Sequence, residues 1–272
     1  MHDPLGYEGA NVVVTGTASG MGAAAAQILV DLGAKVTGLD IKDTAVAVDR
    51  ALQIDLKDPS SIAAVAEQID GPIDSVFSCA GLPGPPFSEL DTMLVNFAGS
   101  RCLIEALLPK IREGGSVGCI SSAGAVGWQN QSEPLLELIS TETFDDAKAW
   151  LEANEETWGW SGYLWSKYAI DFWVGHRGVD FMKDHGVRLN CINPGPTDTP
   201  MMPAFHDLAT KEVVDSAIGP IGRYSTPEEQ AWPLVMLNSP RMSYVSGEVF
   251  WTDGGYYGSF QTGRQGGFGE GV

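Results

Sequence analysis

Apolar and polar positions follow two rhythms along the chain. Short runs that are apolar at nearly every position mark buried strands. Longer stretches with apolar residues three or four apart mark helices. On this basis Asn11–Thr15 is a strand, and Gly22–Leu32 is a helix that stops at Gly33. Lys35–Leu39 and Ala51–Ile54 are further strands. Ser60–Ile69 is helical, with Pro59 suited to its first turn and Gly71-Pro72 closing it. Asp74–Cys79 is a strand, Leu90–Lys110 a long helix and Gly115–Ser121 another strand. Ser161–Lys183 is helical, Val187–Ile192 a strand, Pro227–Leu237 helical and Glu248–Thr252 the last strand. Strands that alternate with helices require right-handed crossovers and a sheet covered on both faces. The expected fold class is therefore α/β, a doubly wound parallel seven-stranded sheet with helices on both faces. Neither an internal repeat nor a long linker divides the 272 residues, so 1–272 is expected to be a single domain.

Three segments break the rhythm. Residues 129–160 look helical and carry Glu133, Glu137, Glu142, Asp145, Asp146, Glu152, Glu155 and Glu156 against a single basic residue, Lys148. This acidic insertion separates the fifth strand from the helix that should follow it. Residues 195–220 read as a loop, with prolines at 194, 196, 200 and 203. Loops this long in a compact domain are usually lids or binding loops. The tail from about 256 is Gly-rich and is expected to be ordered only in part, unless it packs on a partner.

Charge narrows the function. Lys plus Arg number 16 and Asp plus Glu 35, a net charge of −19. Such a surface repels phosphate backbones, which excludes nucleic acid and anionic membranes as partners. The four cysteines, at 79, 102, 119 and 191, show no C-x-x-C spacing, and no metal site is expected. Cys79, Cys119 and Cys191 fall in strand-like apolar runs, which suits reduced thiols in a reducing compartment. Met1-His2-Asp3-Pro4 has neither the basic nor the apolar part of a signal peptide, and the apolar runs are too short to span a bilayer. A cytoplasmic protein is the expectation.

Thr15-Gly16-Thr17-Ala18-Ser19-Gly20-Met21-Gly22 lies between the first strand and the first helix. A dinucleotide pyrophosphate needs a tight turn, close backbone approach and free N–H groups at a helix start, and Gly16, Ser19, Gly20, Met21 and Gly22 are placed to supply them. With 33 glycines in the chain, such spacing also arises by chance; its place after a Val-rich strand makes it a Rossmann-like signal. Asp40 ends the second strand, where a carboxylate accepts from ribose hydroxyls and repels a 2′-phosphate, so NAD is favoured over NADP. Ile41 follows it, and Asp55-Leu56 at the end of the third strand is a candidate adenine contact.

Tyr163 and Lys167 stand four residues apart at a helix start, which puts both on one face. A neighbouring ammonium and the positive end of the helix favour the phenolate, so this tyrosine is expected to exchange a proton with an alcohol near neutral pH. An ordinary amphipathic helix would show the same spacing. In chain order, the Gly-rich loop is followed by Cys79-Ala80-Gly81, Asn96 in Val-Asn-Phe-Ala-Gly, Ile120-Ser121-Ser122, Tyr163-x-x-x-Lys167, Asn193-Pro194-Gly195 and Asp253-Gly254-Gly255. In this order the chain resembles the short-chain dehydrogenase/reductase family, from Asn11 to about Tyr257. The resemblance implies Tyr163 as general acid/base, with Lys167 tuning it and binding the nicotinamide ribose. It implies Ser122 as the hydroxyl that polarises the substrate oxygen, and Asn96 as part of a proton relay. It places Cys79, Ala80, Gly81, Pro194, Gly195, Thr197 and Thr199 along the cofactor.

The chain also departs from the family pattern. Cys79 stands where members usually have Asn, the run from Ile41 to Arg50 is too short for the usual helix, and Ser122 and Tyr163 are 41 residues apart because of the acidic segment. These features look most like the 3α-hydroxysteroid dehydrogenase/carbonyl reductase branch. By that resemblance the protein forms a homodimer or homotetramer, and the insertion covers an interface and favours the dimer. Trp128, Trp160, Met201, Met202 and Phe205 lie in segments that should rim the site, beside Ser122 and Tyr163, or else pack the insertion on the body. The first reading gives a bulky hydrophobic secondary alcohol or ketone, such as a steroid, terpenoid or aryl carbinol. The alternatives are a reductase of an enoyl or imine double bond and a non-catalytic dinucleotide-binding regulator. An intact Ser122 argues against the first, and a full set of four site residues against the second.

Overall fold

Period-two alternation in β1 (Asn11–Thr15) sends Val13 into one apolar cluster and Val12 and Val14 into another. The clusters lie on opposite faces of a sheet, because successive strand side chains point to opposite sides. The computed structural model of the chain describes residues 3–264. In it β2 (Lys35–Asp40), β3 (Arg50–Gln53), β4 (Ile73–Ser78), β5 (Ile111–Ile120), β6 (Arg188–Pro194) and β7 (Val249–Thr252) join β1. Their order is β3-β2-β1-β4-β5-β6-β7, with every pairing parallel. The seven-stranded, doubly wound Rossmann-like fold is therefore as expected. The strand order reverses between β1 and β4, and the crevice beyond that switch point is where sheets of this kind take ligands.

α1 (Gly20–Asp31) lies on the Val12 face, while α2 (Pro59–Gln68) buries Ile62 and Val65 on the other. No helix separates β2 from β3. The long helix expected over 90–110 is interrupted. It consists of α3 (Glu89–Met93), a π-helical turn over Leu94–Gly99, and α4 (Ser100–Leu107) running into a 3₁₀ turn. Periodicity cannot show a single widened turn, and such turns gather at functional sites. This one carries Asn96.

The insertion folds into α5 (Ser132–Ile139), α6 (Phe144–Ala153) and α7 (Glu155–Trp158). Leu135, Leu138, Ile139, Phe144, Ala147, Leu151 and Trp158 are buried in the main core cluster, and all eight acidic side chains are exposed. Arg101 of α4, only 2% exposed, crosses to the end of α5. It donates to Leu138 O (3.4 Å), Ile139 O (3.3 Å) and Thr141 Oγ1 (3.0 Å). A cation there satisfies carbonyls that the helix leaves unpaired and complements its negative end.

α8 (Gly162–His185) then covers β5 and β6, with Ser161 capping its start and Gly186 ending it in a left-handed turn. The segment expected to be loop over 195–220 contains α9 (Met202–Ser216), kinked where Thr210 has φ +50°. Its prolines cluster in the first turn and before it, where they are tolerated, which is why their number misled. α10 (Pro227–Asn238) returns to the α1 face. The tail also forms α11 (Tyr256–Gln261), with Tyr256 buried and the Asp253 carboxylate accepting from Gly255 N and Tyr257 N. Met1, His2 and the Gly-rich residues 265–272 lie outside the described residues.

Candidate active site

The Gly-rich loop is built against the end of β4. Thr15 Oγ1 accepts from Cys79 N (2.9 Å) and Ala80 N (3.0 Å), joining the two strands at the switch point. Gly16 has φ +79°, and a Cβ on it would meet Ala80 N at 2.8 Å; a Cβ on Gly22 would meet Gly16 O at 2.2 Å. Only glycine fits either place. Ser19 precedes α1 without capping it, and the first turn of α1 holds no acidic residue. Thr17 Oγ1 is buried with no hydrogen-bond partner. Free N–H groups at a positive helix end and a cradle that a Cβ would fill suit a pyrophosphate. Asp40 Oδ2 accepts from Ala18 N (2.9 Å) and Oδ1 from Lys42 N (3.0 Å), so the carboxylate is fixed at the rim of this loop, beside the exposed Ile41. Asp55 accepts from Lys57 N at 2.9 Å, and Leu56 is buried. From the other side, Thr199 Cγ2 lies 3.6 Å from a Cβ built on Gly20, and Gly195 lies against Asp253. The Thr197 hydroxyl is spent on Gly195 O and Ser225 Oγ, both at 2.9 Å, and so staples its own loop.

Ser122, Tyr163, Lys167 and Asn96 meet at the ends of β4 and β5. Ser122 acts on the Tyr163 phenol, favouring its charged form, despite the 41 residues between them. Lys167 Nζ donates to Ile120 O (2.9 Å) and stands 5.5 Å from the centroid of the Tyr163 ring. Asn96 Oδ1 accepts from Leu82 N (2.6 Å), while Nδ2 reaches Leu82 O (3.0 Å) and Ser166 Oγ (3.1 Å). Ser166 in turn donates to Tyr163 O (2.6 Å), so Asn96 straps the loop that follows Gly81 onto the helix bearing Tyr163.

Burial pushes the Tyr163 phenol up to about 12, with Ser122 working against it. Burial lowers the Lys167 ammonium to about 8, opposed first by the Asp171 carboxylate. Burial, rather than Lys167, dominates the phenol here. The ammonium spends its hydrogen bond on Ile120, and Phe205 packs edge-on over the phenol ring at 4.8 Å, so desolvation wins.

The first part of the chain, residues 10–133, matches the sequence model described as short chain dehydrogenase; residues 149–257 match that described as Enoyl-(Acyl carrier protein) reductase. The stretch between them lies in the insertion. Coniferyl-alcohol dehydrogenase of a Pseudomonas strain is 31% identical, with 90% of this chain and 95% of that one covered. The 3-alpha-hydroxysteroid dehydrogenase/carbonyl reductase of Comamonas testosteroni is 33% identical over the same shares. The chain belongs to the short-chain dehydrogenase/reductase family. A crystal structure of 3-alpha-hydroxysteroid dehydrogenase from a Pseudomonas species, complexed with NADH, superposes with TM-score 0.79 at 27% identity, over 94% of this chain and 100% of that one.

Within this dehydrogenase/reductase, the residues predicted to touch substrate separate into two groups. Met201 and the buried Met202 open α9, and Phe205 lies over Tyr163. Trp128 does not join them: its ring packs edge-on against Phe172 at 5.5 Å, on the side of α8 opposite Tyr163. Trp160 is 60% exposed. Trp128 thus packs on α8, and Trp160, at the end of the insertion, faces solvent. His206 Nε2 lies 3.1 Å from the Tyr224 hydroxyl, which donates to Asp215 Oδ1 at 2.5 Å and ties both ends of α9 together. Sequence reasoning missed three residues. Thr15 opens the Gly-rich motif but its tie to the end of β4 leaves no sequence signal, and Glu89, whose carboxylate accepts from Gly162 N (2.5 Å) at the start of α8, lies in no motif. Asp171 was legible as the next step of the four-residue spacing from Tyr163 and Lys167.

The family members named above are alcohol dehydrogenases or carbonyl reductases, and this chain is an oxidoreductase of that kind. Among the described residues no helix is long and apolar enough to cross a membrane, and no cluster of three metal-ligating side chains occurs.

Proposed function

We propose that this protein interconverts a bulky hydrophobic secondary alcohol, of the steroid, terpenoid or aryl carbinol kind, and its ketone, using NAD(H). The observation that carries the reading is the Lys167 ammonium 5.5 Å from the Tyr163 ring centroid, with Ser122 acting on the same phenol. Ser122 and Tyr163 would both face the substrate oxygen: Ser122 polarises it, and Tyr163 gives or takes its proton. Lys167 would steady the phenolate and hold the nicotinamide ribose. Asn96 keeps the loop and helix in register. Gly16, Ser19, Gly20, Met21 and Gly22 would hold the pyrophosphate, Asp40 and Ile41 the adenosine ribose, and Asp55 and Leu56 the adenine. Cys79, Ala80 and Gly81 would pass beside the nicotinamide ribose, and Pro194, Gly195, Thr197 and Thr199 beside the carboxamide. When bound, the dinucleotide supplies the hydride acceptor or donor.

Met201, Met202 and Phe205 give the lid an apolar inner surface, which supports a hydrophobic substrate. The relatives named for coniferyl alcohol and for 3α-hydroxysteroids act on compounds of that character. Incubation with NAD and a panel of hydrophobic secondary alcohols should produce NADH fluorescence. A protein that binds NADH but oxidises none of them, while reducing enoyl substrates, would replace this reading.

Asp40→Ala is expected to lower the NAD-over-NADP ratio of kcat/KM about ten-fold or more, since it removes both the ribose acceptor and the repulsion of a 2′-phosphate. An unchanged ratio in steady-state assays with the two coenzymes would remove Asp40 from the cofactor assignment. The cover that α5 to α7 form over α4 and α8 also supports a homodimer. Light scattering should then report a particle of two chains, and a stable tetramer would count against it.

A further inference from the structure

One buried acid has no place in the machinery described so far. Asp171 is fully buried, one turn beyond Lys167 on α8, so Tyr163, Lys167 and Asp171 form a column on one helix face. Its carboxylate is held from β6. Asn193 Nδ2 of β6 donates to Oδ2 at 2.8 Å, and Cys191 Sγ of the same strand lies 3.6 Å from Oδ1. The Ser121 hydroxyl, just past β5, donates to Lys167 O at 3.2 Å and also favours the charged form of this carboxylate. Asn193, Cys191 and Ser121 are themselves buried.

A carboxylate in such a place is costly unless its charge is compensated, and the cation that acts on it, one turn back on α8 and without ion-pair contact, is Lys167. Lys167 has the same need. The groups that face it are Tyr163 and Asp171 from α8, Cys119 from β5, Cys191 from β6 and Cys79 from the end of β4. Of these, the carboxylate is the strongest support for its charge. The three thiols are held protonated by burial and contribute little charge of their own.

We propose that Asp171 is a positioning residue for the proton transfer, holding Lys167 as an ammonium beneath Tyr163 and anchored for that purpose by Asn193, Cys191 and Ser121. The proposal rests on Lys167 and Tyr163 acting as the acid–base pair. Burial has two opposed effects on the column. It lowers Lys167 to about 8 and raises Asp171 to about 7, while the mutual attraction resists both shifts. With Asp171 ionised, Lys167 stays charged through neutral pH and can steady the Tyr163 phenolate as the proton moves. Without it, burial acts on Lys167 unopposed, and the ammonium is lost at lower pH.

Asp171→Asn keeps the shape and removes the charge. In alcohol oxidation its kcat–pH profile is expected to lose activity on the alkaline side about one pH unit earlier than wild type, with KM for the alcohol and NADH affinity little changed. In a Lys167→Met background the same substitution should leave the profile unchanged, because its effect passes through the ammonium. Asn193→Ser removes the 2.8 Å donor without touching the acid, and should move the alkaline limb the same way by less. It also keeps the question open to test if Asp171→Asn folds poorly. An Asp171→Asn profile that superposes on wild type after scaling, with only a lower melting temperature, would make the acid purely structural and overturn the proposal. A Tyr163→Phe enzyme with full turnover would instead overturn the underlying assignment, whatever the profile of Asp171→Asn.

Discussion

Tyr163→Phe is expected to lower kcat by about two to four orders of magnitude, the usual worth of a positioned acid or base. The change deletes one oxygen and nothing else of consequence. The ring still packs under Phe205 and beside the Lys167 ammonium, so the local fold should persist. What is lost is the phenol hydroxyl on which Ser122 acts. Ser122 alone cannot replace it, since an unassisted serine hydroxyl is too weak an acid or base near neutral pH. NADH binding, followed by quenching of intrinsic fluorescence, should be nearly unchanged, because the Gly-rich loop and Asp40 are built from other elements. Normal turnover in the variant would end the proposed chemistry and leave only a nucleotide holder.

Trp158→Ala should show that the acidic insertion is part of the core. Trp158 is 1% exposed, and its Nε1 donates to Leu151 O at 2.9 Å, so it fastens α7 to the end of α6. Truncating so large a buried ring typically costs about 3–5 kcal/mol. For a domain of this size each kcal/mol moves Tm by about 2–4 °C, so a fall on the order of 10 °C is expected in a thermal melt. The insertion also leads directly into Ser161, which caps the helix bearing Tyr163. Loosening it should therefore lower turnover as well as stability. An unchanged melting temperature would mean that the insertion is a loosely held excursion.

Much of the architecture could be read from one dimension. Apolar runs bounded by glycine and proline marked all seven strands, most clearly the central β1, β4 and β6, because a parallel strand buried on both faces has almost no freedom to be polar. The chain from Thr15 to Gly22 carried its own geometry, since the steric demands on Gly16 and Gly22 are local. Elements that depend on a neighbour were harder to see. α9 breaks phase at Thr210, and its helical character rests partly on the Asp215–Tyr224–His206 tie. α11 depends on Asp253 accepting two backbone donors after a pair of left-handed glycines. The π turn at Asn96 leaves no trace in periodicity.

By itself the amino-acid sequence determined the class of sheet, the nucleotide loop and the residue types available for proton transfer, because each follows from short-range pattern and steric fit. Only the tertiary structure decided that Ser122 acts on Tyr163 across the intervening insertion, that Trp128 packs on Phe172 of α8, and that Asp171 of the helix column is fully buried and held by Asn193 and Cys191. The reason is physical. Distance through space and the loss of water around a charge depend on everything packed nearby, and residue spacing along a chain records neither.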